Sequence, residues 1–473
     1  MDSIINSNKY IIVLSVLTAL FTGMFPNYIW IGIVVFLAFF VITVWGEKSL
    51  LLFAIVSLLT LTSTINISLR AVVQIFNGLA LFYLFFKKYG LEFRSYPKIP
   101  KEVGILIFLV FLSMTVATAF SHYVLLGFNQ IIRTALFFII TYFIYSLVEE
   151  NSDVKLLLTA LFLVALIYTY TLIQGLAKEN FDLVQMNLKR VDKLSNDYMN
   201  MNRMGAFFII IIPICLSYLL EQKKGKLKLF LTGFFLITII GLFITNSRAA
   251  ILGVLLGSIF ILYNLNRKIL KYLLIALIIL LPLLFINPIS DYIDIYFRFK
   301  RLSTGRDVIW SVIYNVIKNN PILGVGPAAT KFYLYPNLTY MIGSPQEQFL
   351  AFHYNQIEFG HAHNFYLFFW SDLGLLGLFT SLLLPFTYFK FGYITSKRFK
   401  YLNKRYYLLA LGLIAGGIGL FIRAIFEWGD LISYGTLAAD LPFWLSFIML
   451  IYLYNNSKEK KLKSISTNNL FRN

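Results

Sequence analysis

The chain has 473 residues, of which 59% are hydrophobic and 13% are charged, and its mean hydropathy is +0.76. A soluble chain of this length would carry about 25% charged residues, so the composition argues against a soluble enzyme or a soluble adhesin. The net charge of +19 could suggest a nucleic-acid ligand. However, the basic residues form short clusters between apolar runs, which is the pattern of cytoplasmic loops in membrane proteins. We therefore predict an all-α polytopic membrane protein that does not bind nucleic acid.

The apolar runs predict about 12 to 14 transmembrane helices. In chain order, the predicted spans cover residues 10–23, 28–45, 49–65, 70–86, 103–120, 124–148, 154–174, 204–220, 229–245, 249–263, 270–286, 364–389, 406–424 and 436–454. The first span could be read as a signal peptide. Lys9 is the only basic residue before it and no clear small-residue cleavage site follows, so a retained helix is expected.

The distribution of lysine and arginine predicts the orientation of the spans. If the N-terminus is cytoplasmic, the short inside segments hold 26 of the 41 basic residues, and the outside segments, mostly two long loops, hold 14. Positive charge favours the cytoplasmic side. We therefore expect both termini to be cytoplasmic and the loops at 175–203 and 287–362 to lie outside.

The large outer loop is predicted to carry a short amphipathic helix that ends before Pro321. Its apolar residues share one helical face and are Ile309, Trp310, Ile313, Val316 and Ile317. Such a helix could lie along the membrane surface. The Gly324-Val325-Gly326-Pro327 sequence that follows lacks the Lys-Ser/Thr of a phosphate-binding loop, so a flexible turn is the expectation.

Two arginines on the predicted outer side are candidate phosphate ligands. Arg248 stands in a short turn at the start of a span, and Arg306 opens the loop helix next to a basic cluster that includes Arg301. A guanidinium offers paired donors that match phosphate oxygens, and the start of a helix adds free N–H groups. The alternative interpretations are a snorkelling arginine at Arg248 and a surface charge at Arg306.

His363 is the candidate base, because it stands at the predicted outer start of a span and imidazole can accept a hydroxyl proton near neutral pH. A capping or interfacial histidine is the alternative interpretation. His361 and His363 are two residues apart and cannot share a helix face, and His353 is the only other histidine near them in the sequence, which argues against a paired metal-ligand set. Cys215 is the only cysteine and lies in a span, so it is expected to be a small core residue. No metal and no cofactor are predicted.

Further charged residues lie in or near the spans. Arg423 and Glu427 are four residues apart and could pair on one helix face, with Asp430 close by. Arg133 lies deep in an apolar run and needs a partner or a water-filled cavity, which makes it a functional candidate.

These motifs together resemble the superfamily of O-antigen ligases and Wzy-type polysaccharide polymerases. The residues that carry the resemblance are Asn246-Ser247-Arg248-Ala249-Ala250 with Leu252, Gly305-Arg306 with Trp310, Asn320-Pro321-Ile322-Leu323-Gly324-Val325-Gly326, and His363-Asn364 followed by Gly374 and Gly377. They cover residues 242–379. Asn202 is similar to a looser family feature, whereas Asp372 departs from the glutamate expected there. The first 200 residues match only in being hydrophobic.

The resemblance implies a GT-C-like membrane glycosyltransferase that needs no metal and acts on the outer face of the cytoplasmic membrane. Its donor would be a glycan on undecaprenyl diphosphate. Arg248 and Arg306 would hold the diphosphate, and His363 would act on the acceptor hydroxyl. Asn364 and Asp372 would support the site, and Arg301 and Asn202 are further expected substrate-binding residues.

The predicted spans and the resemblance together divide the chain into four parts. Residues 1–203 form N-terminal transmembrane helices with one outer loop, and 204–389 form the catalytic core that includes the loop at 287–362. Residues 390–454 form the C-terminal transmembrane helices, and 455–473 form a basic cytoplasmic tail that is expected to be disordered.

A polymerase of lipid-linked repeat units is the favoured function, because many spans and long outer loops are typical of the more variable family members. The product would be O-antigen, capsular polysaccharide or exopolysaccharide. The partners would be the lipid-linked donor and acceptor glycans, membrane lipids, a flippase and a chain-length regulator. A ligase that transfers the glycan to lipid A core or protein is the first alternative. A polysaccharide flippase or transporter is the second, although only Arg133 fits it and no inverted repeat is found.

Overall fold

A computed structural model describes most of the chain downstream of residue 45. The described residues are 46–64, 67–183, 185–186, 201–280, 282, 286, 306–334, 337 and 362–470, without the side chains of residues 61–72, 307–308 and 458–470. The predicted spans at 10–23 and 28–45 lie outside this part, as do Arg301, His353 and His361.

The described residues are almost entirely helical and contain no β-strand, which confirms the predicted all-α class. In chain order, the helices are α1 (Glu47–Thr64), α2 (Ile67–Tyr89), α3 (Lys101–Ala119), α4 (Val124–Ser146), α5 (Asn151–Lys178), α6 (Met201–Leu219), α7 (Lys226–Ile244), α8 (Arg248–Leu265), α9 (Arg267–Leu280), α10 (Arg306–Asn319), α11 (Thr330–Tyr333), α12 (Phe365–Leu402), α13 (Lys404–Arg423) and α14 (Leu437–Leu470). Every predicted span from 49–65 onward overlaps one of these helices.

Nine helices of the described part are long and apolar enough to cross a membrane. They are α3 to α8, α12, α13 and the Leu437–Ser457 portion of α14. Each has at least 18 residues, which is close to the length needed to span the hydrocarbon core. The backbone N–H and C=O groups of such a helix form hydrogen bonds with each other, so the hydrophobic runs of this sequence can fold without exposing unpaired polar groups to lipid.

Helices α6, α8 and α13 form the closest packing in the bundle. A Cβ placed on Gly253 of α8 would lie 2.8 Å from the carbonyl oxygen of Gly419 in α13, and one on Gly257 would lie 2.7 Å from that of Ala415. Small residues allow this approach, as is common between membrane helices. The pairing runs in opposite directions along the two helices, so the start of α8 and the end of α13 lie at the same end of the bundle.

The predicted amphipathic helix is observed as α10, and it ends at Asn319, two residues before Pro321. Its apolar face does not lie on a membrane surface, however. Ile309, Ile313 and Ile317 are buried in the main hydrophobic core, and α10 packs against α12. The expectation of a surface helix was wrong because this face finds a protein partner, which buries the same apolar area.

The C-terminal segment also differs from its prediction. Helix α14 continues to Leu470, so the part of the tail from 455 that was expected to be disordered is helical up to that residue. The sequence after Pro442 contains no glycine or proline, and lysine, glutamate and leucine are good helix formers, so nothing in it ends the helix.

Candidate functional site

One carboxylate joins two of the predicted site residues. Arg306 Nη2 donates a hydrogen bond of 2.8 Å to Glu427 Oε1, and His363 Nδ1 lies 3.5 Å from Glu427 Oε2. The side chain of Glu427 is 10% exposed, whereas those of Arg306 and His363 are 20% and 28% exposed. The carboxylate is therefore covered by its partners, while both partners keep a face open to a ligand.

The chain around His363 is fixed at both ends. Trp310 Nε1 in α10 donates a hydrogen bond of 2.9 Å to the carbonyl oxygen of Ala362. Asn364 caps α12, because its Oδ1 accepts hydrogen bonds from the backbone N–H groups of Tyr366 and Leu367. His363 between them has a φ of 46°, an uncommon conformation for a residue with a Cβ. Such strained residues are often found at functional sites, and here the flanking contacts hold the strain in place.

Glu427 is a charged group in a buried position, and its neighbours decide its ionisation. Burial alone would raise its pKa, but the interaction with His363, followed by the charges of Arg423 and Arg306, outweighs burial and holds the pKa well below its usual range. The carboxylate is therefore negative at neutral pH. It can orient His363 and neutralise part of the positive charge of Arg306.

Arg423 anchors the segment 424–436 that carries Glu427. It forms a buried ion pair with Asp430, and its Nη2 donates a hydrogen bond of 3.0 Å to the backbone carbonyl of Asn202. The predicted pairing of Arg423 and Glu427 on one helix face was wrong, because α13 ends at Arg423. The two side chains still interact electrostatically. Asn202 contributes its backbone here.

Arg248 begins α8 at the same end of the bundle. In the α8–α13 pairing, Gly253 faces Gly419, so the register places Arg248, five residues earlier, level with Ala424, five residues later. The carbonyl of Ala424 accepts a 2.8 Å hydrogen bond from the backbone N–H of Phe365, two residues after His363. Arg248 is half-buried. The helix register thus brings it to the level of the cluster of Arg306, Glu427 and His363.

Asp372 lies in a different network that is completely buried. Its carboxylate accepts hydrogen bonds from the backbone N–H groups of Ala328 and Thr330 at 2.8 and 3.1 Å, from the Thr330 hydroxyl, and from the Tyr434 hydroxyl at 2.9 Å. Burial, followed by the charge of Asp372, raises the pKa of Tyr434, so its hydroxyl remains a donor. Protein donors thus surround both oxygens of Asp372. This geometry favours a positioning role for Asp372 over direct contact with a substrate.

The glycines of the family motifs explain why the loop can reach Asp372. Helix α12 breaks at Gly374, which has a φ of 67° and a ψ of −157°. A Cβ on Gly374 would collide with the carbonyl of Ile322, and one on Gly324 would lie 2.5 Å from the Gly374 nitrogen. The backbones of loop and helix therefore touch, with hydrogen bonds from Val325 N to Ser371 O and from Leu375 N to Ile322 O. The turn predicted to be flexible is fixed to α12.

The structure thus brings Arg306 and His363 together through Glu427, with the capping residue Asn364 next to His363 in the chain. Helix register places Arg248 at the same level of the bundle, and the backbone of Asn202 is bound by Arg423. Asp372 supports the neighbouring loop, and Arg301 lies outside the described residues. The central residue that the sequence did not assign to the site is Glu427. The feature of the sequence that could have identified Glu427 is that it is an acidic residue in a segment predicted to lie outside the membrane.

No metal-binding group is found in the described part of the chain, where no three His, Cys, Asp or Glu side chains are arranged to hold an ion. His353 and His361 are not among those residues. Independence from metal therefore stays a prediction.

The fold and the site define a multi-pass helical membrane protein with a charged cluster at one end of its helix bundle. Residues 233–382 match the family model described as O-antigen ligase, so this segment carries the domain of that family and the resemblance noted in the sequence is confirmed. The match includes Arg248, Arg306 and His363, whereas Glu427 lies beyond its end. A search of curated proteins found no match.

Proposed function

We propose that this protein polymerises oligosaccharide repeat units carried on undecaprenyl diphosphate, by glycosyl transfer on the outer face of the cytoplasmic membrane. The observation that carries the proposal is the cluster in which Glu427 contacts both Arg306 and His363. A cation for a leaving diphosphate and a base for an acceptor hydroxyl, both within the segment that matches the O-antigen ligase family, are held by one carboxylate from outside that segment.

Arg306 and Arg248 bind the donor diphosphate in this proposal. A guanidinium has five N–H donors, and the bond from Arg306 to Glu427 uses one of them, so others can reach phosphate oxygens. As the bond between the anomeric carbon and the diphosphate oxygen breaks, its electron pair leaves with the diphosphate. The two cations stabilise the negative charge that develops there.

His363 takes the proton of the acceptor hydroxyl, whose oxygen forms the new bond to the anomeric carbon. Glu427 faces Nδ1 of His363, which favours the tautomer that carries its proton on Nδ1 and leaves Nε2 as the acceptor. The imidazolium formed after proton transfer is then stabilised by the negative carboxylate, as in a catalytic triad. Glu427 is thus a positioning residue, and no metal is required for these steps.

A ligase that transfers the lipid-linked glycan to lipid A core or protein is the second candidate. The family description, O-antigen ligase, favours it. Both reactions break the same sugar–phosphate bond, so they share the donor site and differ in the acceptor.

The glycan banding pattern of a deletion strain on a gel separates these functions. Loss of a polymerase leaves a single repeat unit on the final acceptor, and plasmid-borne wild type restores the ladder. Bare acceptor with polymer still on its carrier lipid would instead assign the protein as a ligase.

In a purified assay, turnover should survive EDTA. Loss of turnover on chelation with recovery on adding a divalent cation would overturn the base assignment.

A further inference from the structure

A groove separate from the cluster at Glu427 lies between α2, α4 and the start of α14, with a volume of about 750 Å³. We call it the Arg133 groove. Its polar end is lined by Gln74, Arg133, Arg203 and Thr436. The rest is lined by apolar side chains that include Ile75, Leu79, Phe82, Leu136, Ile140 and Phe143. The groove therefore has a cationic end and an apolar shaft.

Arg133 stands deep within a membrane span. It is nine residues after Val124, the first residue of α4, which corresponds to about 14 Å along the helix axis. It is exposed to the groove, and its Nη1 donates a hydrogen bond of 3.2 Å to Gln130. An arginine within a membrane span is costly unless an anion or water accompanies it, and Asp440, which interacts electrostatically with Arg133, also interacts with Arg203.

The polar end keeps an excess of positive charge. The buried Asp440 interacts electrostatically with both Arg203 and Arg133, so one carboxyl group is set against two guanidinium groups. Among the described residues, those that line the groove include two arginines and no acidic side chain. A negatively charged headgroup complements this end, and a hydrocarbon chain complements the shaft.

The same segment of chain borders both the groove and the cluster at Glu427. Gly435 lies so close to α4 that a side chain there would collide with the carbonyl of Arg133. Thr436 is nine positions after Glu427, and nine steps of extended chain span at most about 32 Å. A short oligosaccharide anchored in the groove can therefore extend toward His363.

We propose that the Arg133 groove binds the prenyl diphosphate carrier of the acceptor glycan, with the diphosphate at Arg133 and Arg203 and the prenyl chain along the shaft. The proposal rests on the proposed function, because it supplies the second lipid that a polymerase needs and a protein-directed ligase does not. The donor diphosphate remains at Arg306 and Arg248, so each chain binds two prenyl diphosphates.

The test is the stoichiometry of radiolabelled undecaprenyl diphosphate on the purified full chain in phosphatidylcholine nanodiscs. Wild type should bind two equivalents. The double variant Arg133→Gln/Arg203→Gln should bind one, while Arg267→Gln/Lys268→Gln, an exposed basic pair on α9, should still bind two. Leu136→Trp fills the shaft without touching the arginines and should weaken binding of one equivalent at least tenfold. This variant keeps the test valid if the arginine variants do not fold.

Several outcomes would overturn the proposal. These are a single equivalent on wild type, no effect of the arginine and Leu136 variants, or equal displacement by phosphatidylglycerol.

A photo-crosslinker at Leu79 should capture the prenyl diphosphate, and capture of residues 1–45 instead would make that segment the occupant. Binding is measured without turnover, so the two proposals fail separately. Active His363→Ala and Arg306→Ala variants would reject the proposed function, whereas one-site binding with those variants inactive would reject only the groove.

Discussion

Arg306 donates a hydrogen bond of 2.8 Å to Glu427, a residue 121 positions further along the chain. This contact ties α10 to the segment after α13, and the second carboxylate oxygen of Glu427 faces His363. A ligand that binds Arg306 therefore changes the electrostatic surroundings of the histidine through one shared side chain. In the proposed mechanism, this arrangement would couple phosphate binding to proton transfer.

We expect His363→Ala to lower transfer by at least about a hundredfold, which is typical for loss of a general base. The matched control is His122→Ala, because His122 is exposed and outside the cluster. His361→Ala and His353→Ala should also cost far less. Initial rates of polymer formation by membranes that contain equal amounts of each variant provide the measurement. Comparable losses in His363→Ala and His361→Ala would contradict the assignment.

Replacement of Arg306 or Arg248 should remove most activity. Arg306→Ala and Arg248→Ala should each lower the rate by about 10² to 10³, because donors to the developing charge are lost. Arg248→Lys should recover only part of it, since lysine keeps the charge without the forked geometry. Arg267→Ala, in an exposed position at the start of α9, is the control. Fully active alanine variants in immunoblot-matched membranes would favour a snorkelling role.

Glu427→Gln should lower the melting temperature of the purified protein in a pH-dependent way. The folded-state pKa of Glu427 lies below its ordinary value of 4.5, so its ionisation stabilises the fold above that pH, and this contribution is lost as the pH falls toward the folded-state value. The difference in melting temperature from wild type should be present at neutral pH and shrink below about pH 4.5.

The control for this experiment is Glu102→Gln, which removes an exposed ion pair with Lys390. Such pairs contribute little, so its melting temperature should stay close to that of wild type. A difference for Glu427→Gln that grows on acidification would mean that the carboxyl is protonated in the folded protein.

Gly374→Ala should destabilise the fold by about 1 to 3 kcal/mol, because alanine does not adopt this backbone conformation without strain and its Cβ would meet the Ile322 carbonyl. Gly233→Ala on α7 is the matched control, since nothing lies within 4 Å of a Cβ there. Fluorescence-detected size-exclusion chromatography after a temperature series measures both. Equal melting temperatures would show that the α12 break tolerates a side chain.

The predicted orientation can be checked by cysteine labelling in a Cys215→Ala background. An impermeant maleimide should label Lys318→Cys but not Tyr401→Cys in intact cells, or in spheroplasts if an outer membrane is present. Both positions are exposed. Labelling at position 401 with protection at 318 would invert the topology.

The sequence predicted the helices well because hydrophobic runs of membrane length have few other structures available to them. It also placed the end of α10, where Pro321 removes a backbone donor. It could not show that the apolar face of α10 packs on α12, because the spacing of apolar residues indicates which face of a helix is buried but not which element that face packs against. Protein and lipid are equally apolar surroundings for Ile313.

The site was predicted in part. Arg306 and His363 were singled out by local motif and position, but the carboxylate that joins them comes from a segment beyond the matched domain. Helix spacing suggested that Arg423 pairs with Glu427 on one helix face. Because α13 ends at Arg423, Glu427 instead makes a contact with a residue that is distant in the sequence. The role of Asp372 depends on Ala328 and Thr330, 44 and 42 residues away, which no local pattern reveals.

The attachments at Asp372 and Trp310 have a consequence for engineering. One fixes the chain at Ala328 and Thr330, and the other fixes it again at Ala362, so the intervening stretch starts and finishes at defined points. We therefore expect the attachment of Ala362 to Trp310 to survive changes between these points. If the proposed function is right, chimeras that replace residues 338–361 would test whether this stretch influences which sugars are transferred.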